Sequence, residues 1–242
     1  THMTTSTASP SLIDDLASAN HILVAQNVFD GFGHVSVRHD TRPDRFLISR
    51  SLAPSMVRAA DILECDFEGV VHDAQDRKSY LERFIHSAIY KARPDVVAVI
   101  HSHSPAIIPF GITGARLRPV CHMSGFLGSK TPVFEIRDSA GESSDMLIRH
   151  QALGESLAAV LGGNAVALMR GHGSVTVGKS LQQAVFRAIY TEHNARLQAQ
   201  AMMLGDVTYL TDDEAFNSSE INDQQIERPW TLWKQQLSAP AM

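Results

Sequence analysis

Several absences narrow the field before any motif is considered. No apolar run approaches the roughly 18–20 residues of a membrane span, and no hydrophobic signal segment stands at the start, so a membrane partner is not expected. Positive charge is scarce: 21 Lys and Arg stand against 26 Asp and Glu, a formal charge of −5. A chain without a basic field has little to hold a phosphate backbone, which argues against nucleic acid as a partner. Cysteine is nearly missing. Cys65 and Cys121 lie in unrelated contexts, with neither CxxC spacing nor a disulfide framework, and a reducing, cytoplasmic compartment is the expectation. No GxSxG elbow prepares a nucleophilic serine, and neither the P-loop nor the dinucleotide fingerprint occurs.

What remains is a 242-residue chain, 44% apolar and 19% charged, long enough to bury a core without staples. Residues 1–10 read as a lead-in: Thr1-His2-Met3 as the remnant of a cleaved tag, the small polar residues after it as disordered. Apolar residues at helical spacing from Leu12 to Phe29 predict a first helix, capped by Ser11 and stopped by Gly31 and Gly33. His34–Arg38 and Phe46–Ile48 read as strands joined by a charged turn. Leu81, Phe84, Ile85, Ala88 and Ile89 predict an amphipathic helix over 79–92, ended by Arg93-Pro94. Val96–Ile100 is a buried-strand run, with further strands expected at 131–135, 166–169 and 174–177 and a long helix at 180–204. One α/β domain over 11–210 is the reading. The tail, 211–242, is acidic, and Trp230 and Trp233 mark a short helix that docks on the body or on a neighbouring subunit.

Histidine is what the chain has in plenty, twelve in all. His101-Ser102-His103 follows the apolar strand directly. Side chains two apart on a strand share a face, so both imidazoles can converge on one cation, although histidines at a strand end can equally bond backbone or water. His172, in Arg170-Gly171-His172-Gly173, is the natural third ligand, because glycines on both sides permit a tight turn and a close backbone approach. Three neutral imidazoles leave a divalent cation Lewis-acidic, with open positions.

Glu82, with His86 and Tyr90, forms an i, i+4, i+8 stripe off the apolar face of its helix. Such a glutamate is usually a solvated charge. Only if that face looks into the cation cleft would burial raise its pKa into the general acid–base range. His34, Arg50, Arg83, Arg118 and His122 are further candidates for holding substrate, the arginines because they grip carboxylates bidentately.

Taken in order, the segments Gly33–Arg38, Glu82–His86, Val99–Pro105 and Arg170–Gly173 resemble the class II aldolase/adducin superfamily over about residues 11–210. The resemblance implies His101, His103 and His172 as metal ligands and Glu82 as the catalytic carboxylate. It implies a three-layer α/β/α sandwich around a largely antiparallel sheet, in homo-oligomers, often tetramers, with sites near subunit interfaces. Members that act on sugar phosphates carry an asparagine where this chain has His34, a Thr-Gly turn where it has Ser51-Leu52, and a serine pair where it has Tyr80-Leu81. Those exchanges remove phosphate donors and add ring-compatible surface.

With His122–Gly128 and Tyr80–Phe84 the chain looks most like the decarboxylase branch, which includes 3-hydroxy-2-methylpyridine-4,5-dicarboxylate and dihydroxyphthalate decarboxylases. The resemblance then implies a manganese-dependent decarboxylase of a hydroxylated aromatic or heteroaromatic acid, with zinc or iron(II) as other cations. Three rivals stand beside it: aldolase or epimerase chemistry on an unphosphorylated sugar acid, an iron(II) oxygenase, and a non-catalytic adducin-like interaction module.

Overall fold

A computed structural model describes residues 7–238. The tag remnant and the first part of the lead-in lie outside the described residues. Helix α1 (Pro10–Ala25) is capped two residues before the predicted position: Ser9 Oγ accepts the Leu12 N–H at 3.3 Å, and Pro10 fills the first helical position, where its missing N–H costs nothing. It also stops short of Phe29, because Asn27 turns the chain in the left-handed region at φ 60°.

The strands are β1 (His34–Arg38), β2 (Arg45–Ser49), β3 (Ile62–Asp66), β4 (Val71–His72), β5 (Ala98–Ser102), β6 (Val133–Phe134), β7 (Val166–Met169) and β8 (Gly173–Gly178). They form one sheet in the order β4-β3-β2-β1-β5-β8-β7-β6. Every pairing is antiparallel except β6 with β7. Alternation along each strand sends one set of side chains to each face. Val35, Val37, Leu47, Ala98 and Ile100 pack with α1, with α6 (Leu181–Leu204) and with α8 (Glu227–Leu237). Phe46, Ile48, Val99, Val175 and Val177 pack with α2 (Arg83–Ala92) and α5 (Gln151–Leu161). The result is the sandwich that the resemblance implied, a mixed, mostly antiparallel sheet flanked by helices. Trp230 and Trp233 of α8 are buried in the first of these cores, so the acidic tail closes over its own body.

Two stretches without a sequence assignment prove structured. Residues 50–78 supply β3 and β4, and residues 137–161 supply α4 (Arg137–Ala140) and α5. Remaining elements are α3 (Ile108–Ile112) and α7 (Asp212–Asp223).

The helix predicted over 79–92 starts only at Arg83. Residues 79–82 are held out of the helix by long-range bonds: Ser79 bridges Arg50, Ser51 N–H donates to the Lys78 carbonyl, and Tyr80 Oη donates to the Leu52 carbonyl at 2.9 Å. Leu81 therefore leaves the core and stands exposed. Among the described residues no helix is long and apolar enough to cross a membrane.

Candidate metal centre and active-site cleft

β1 and β5 lie side by side with His34 opposite His101, and both rings face the α2 layer. β8 lies on the other side of β5, and the turn entering it carries His172. Gly173 makes that turn possible. A Cβ there would lie 1.9 Å from the Ser102 carbonyl oxygen, and at φ +155° no other residue fits without moving the strand. The glycine seats the turn against β5, and three rings meet: His101 and His103 centroids at 5.2 Å, His101 and His172 at 4.9 Å, His103 and His172 at 4.7 Å.

Glu82 completes the group. It stands at the N-terminal end of α2 rather than on a helix face, with Oε1 at 3.7 Å from His101 Nε2 and 3.5 Å from His172 Nε2. Its other oxygen accepts the Ile148 N–H at 3.0 Å. One donor atom from each of Glu82, His101, His103 and His172 lies within 4.8 Å of the others, the spacing of a site that could hold a metal ion.

The residues fit such a cation on their own chemistry. His101 donates its Nδ1–H to the Ser174 carbonyl at 3.1 Å, which fixes the tautomer and leaves a lone pair on Nε2. That Nε2 is buried and has no hydrogen-bond partner, a costly arrangement unless something electron-poor takes the lone pair. Burial pushes His101 down to about 3 and lowers His103 as well, so both rings are neutral at ordinary pH.

Glu82 behaves differently from the sequence expectation. Burial by itself pushes its carboxyl up, but His101, His172 and the Ile148 N–H outweigh burial and hold it down at about 2. The shift favours the carboxylate form.

A cleft of about 340 Å³ opens over this group, at the small end of the range for small-molecule sites. Its wall is largely apolar: Phe32, Leu52, Ala53, Tyr80, Leu81 and Leu147. Phe32 is 69% exposed and stacks on His103 at 5.9 Å. In the sequence Gly31 and Gly33 read as helix stops, and helical spacing gives the phenylalanine between them no role. The signal was available: a large ring between two glycines, two residues before His34.

Of the substrate-holding candidates, only His34 lines this cleft, with its ring 5.1 Å from His101 and 4.6 Å from Tyr80. Arg50 is paired to Asp61, Nε to Oδ1 at 2.6 Å. Arg83 donates to the Gly69 carbonyl at 2.6 Å and lies over Phe84. Arg118 lies 4.1 Å over the Tyr209 ring. His122 belongs to a separate hollow with Leu210, Glu214 and Ile221. None of the three arginines, nor His122, lines the cleft of its own chain.

His86 and Tyr90, read from the sequence as part of an outward stripe, are fully buried. Polar partners on β1 explain it. His34 Nδ1 lies 2.6 Å from His86 Nε2, Ser36 Oγ bonds His86 Nδ1 at 2.5 Å, and Ser36 Oγ lies 2.8 Å from Tyr90 Oη.

The fold and the histidine cluster together define a class of protein. Residues 14–199 match the Class II Aldolase and Adducin N-terminal domain, and the chain belongs to that family. Its relatives include "Decarboxylase tropJ" of Talaromyces stipitatus, 38% identical over a match that covers 91% of this chain and 91% of the relative. They also include a 3,4-dihydroxyphthalate decarboxylase of Terrabacter sp., 30% identical, covering 78% of this chain and 81% of the relative. Among solved structures, an aldolase II superfamily protein from Pseudomonas syringae superposes with a TM-score of 0.79 over 95% of this chain and 94% of that one, at 22% identity.

Proposed function

We propose that this protein is a non-oxidative decarboxylase of a small hydroxylated aromatic or heteroaromatic carboxylic acid, working with a divalent cation, manganese before zinc or iron(II). One observation carries the reading: a buried glutamate and three histidines converge at the floor of a cleft, which Glu82, His101 and His103 line and whose wall is apolar and aromatic. The two relatives named as decarboxylases support it. His101, His103 and His172 would hold the cation, which when bound supplies Lewis acidity toward a substrate oxygen.

The chain's own residues account for the proton. Glu82 meets the substrate as a carboxylate, so Oε1 takes the proton of the ring hydroxyl. It then returns that proton to the ring carbon bearing the carboxylate, converting the ring to its keto form. The carbon–carbon bond breaks, its electron pair restores the aromatic ring, and CO₂ leaves. Phe32 and Tyr80 offer π surface to the ring, and Leu52, Leu81 and Leu147 keep water from the face where the proton moves. Because no arginine lines the cleft of its own chain, a cation to pair with a second substrate carboxylate would come from a neighbouring chain. The homo-oligomer that the resemblance implies, often a tetramer, would bring such a chain to the site. The free cysteines suit a cytoplasmic setting.

The test is CO₂ release from a panel of hydroxyaromatic acids, 3,4-dihydroxyphthalate among them, with added manganese. Release that depends on the cation supports the reading. Aldehyde release from a sugar acid would replace it with aldol chemistry, oxygen uptake would replace it with an oxygenase, and a chain that takes up no cation would remove the enzyme.

A further inference from the structure

The buried side chains behind His34 form a directed hydrogen-bond chain. Tyr90 is its fixed end, packed between the Phe46 ring at 5.2 Å and the Arg38 guanidinium at 4.9 Å. Its hydroxyl has two acceptors within reach, Ser36 Oγ at 2.8 Å and the Val97 carbonyl at 3.4 Å. The carbonyl lies beyond the usual O–H···O range and Ser36 well within it, so the phenolic proton goes to Ser36. A serine that accepts from tyrosine has its own proton to give, and His86 Nδ1 lies 2.5 Å from Ser36 Oγ.

Direction then propagates by valence alone. A neutral imidazole that accepts at one nitrogen carries its proton on the other. His86 therefore donates from Nε2 to His34 Nδ1 at 2.6 Å, and His34 carries its own proton on Nε2. That nitrogen has no protein partner among the described residues, and the ring lines the cleft.

We propose that Tyr90, Ser36 and His86 are positioning residues that lock His34 as an Nε2–H donor facing the cleft, where it binds an anionic oxygen of the substrate. The lock has a second consequence. A ring protonated on Nε2 has no lone pair there for a cation, so His34, although 5.1 Å from His101, stays out of the ligand set. The tautomer stands by itself; only the naming of a carboxylate substrate rests on the function proposed above.

The experiment is ¹⁵N NMR of histidine-labelled protein loaded with zinc, a diamagnetic cation, with His34 assigned from a His34→Gln spectrum. The expected result is an unprotonated Nδ1 and a protonated Nε2 at His34; a protonated Nδ1 overturns the proposal. Tyr90→Phe and Ser36→Ala should mix the tautomers and lower kcat for 3,4-dihydroxyphthalate with manganese about tenfold, with cation content unchanged. His86→Gln, which keeps an N–H, should recover part of what His86→Leu loses. Variants that keep both the single tautomer and full kcat overturn the lock. A correct tautomer without any decarboxylation sinks the proposed function and leaves the lock standing; the wrong tautomer with full turnover does the reverse.

Discussion

The two groups of histidines that meet at β1 and β5 are built in opposite ways. In the triad, His101 Nε2, the nitrogen that faces Glu82, is buried without a hydrogen-bond partner, and the His101 and His103 rings open into a cleft. In the pair behind it, both His86 nitrogens and His34 Nδ1 are spoken for by side chains on β1 and α2. An imidazole with an idle lone pair is a ligand in waiting, whereas one in a closed chain is a structural or orienting group. Residue type does not separate the two roles. The supply of partners does.

Breaking the triad should have the largest effect. His172→Ala or His103→Ala should abolish manganese binding, read by metal analysis of protein purified without chelator, and turnover with it; chelation of the wild type should do the same, reversibly. Full cation content in either variant would dissolve the contrast.

Glu82→Gln separates holding from chemistry. It should keep the cation and lower kcat about 10²–10⁴-fold, the usual range for a lost acid–base group, as measured by CO₂ release. Near-normal release would remove Glu82 from the proton path.

The closed pair should answer to stability instead. His86→Leu strands polar atoms of His34 and Ser36, at about 1–3 kcal/mol for each buried group left unsatisfied, measurable by urea unfolding. Acid should act in the same place. Burial pushes His86 down to about 3, while in the unfolded chain it protonates near its ordinary 6.5. Between those values the unfolded state binds the extra proton. The contribution of His86 is therefore complete above the unfolded value and is lost as pH falls through the window. Thermal melts of chelated protein from pH 7 to pH 4 should show the decline, and His86→Gln should flatten it.

The smallest effect belongs to the rim. Phe32→Ala should raise KM for an aromatic acid roughly threefold to tenfold, the worth of one ring contact, with Tm unchanged because the ring is exposed.

Much of this was legible in the chain. Val96–Ile100 with its His-Ser-His ending, Gly-His-Gly between two strand runs, and the long helix before Gly205 are local patterns, and each became the corresponding element. What failed is equally particular. The helical period placed the start of α2 four residues early, because contacts from Ser79 and Tyr80 to residues about thirty positions away decided it. The stripe Glu82, His86, Tyr90 read as outward-facing, because polar residues at i, i+4, i+8 normally are. Only β1, folding across that face with Ser36 and His34, provided the partners that let it be buried.

Local order along the chain thus carried β1, β2, β5, β7, β8, α6 and the histidine motifs, since periodicity and short motifs act over a single turn or strand. Tertiary structure alone decided that Glu82 stands beside the three histidines, that Phe32 closes the cleft wall, and that the three arginines bind elsewhere in their own chain. The reason is physical: hydrogen-bond partners and burial come from strands and helices far away in sequence, and no local spacing records which of them will arrive.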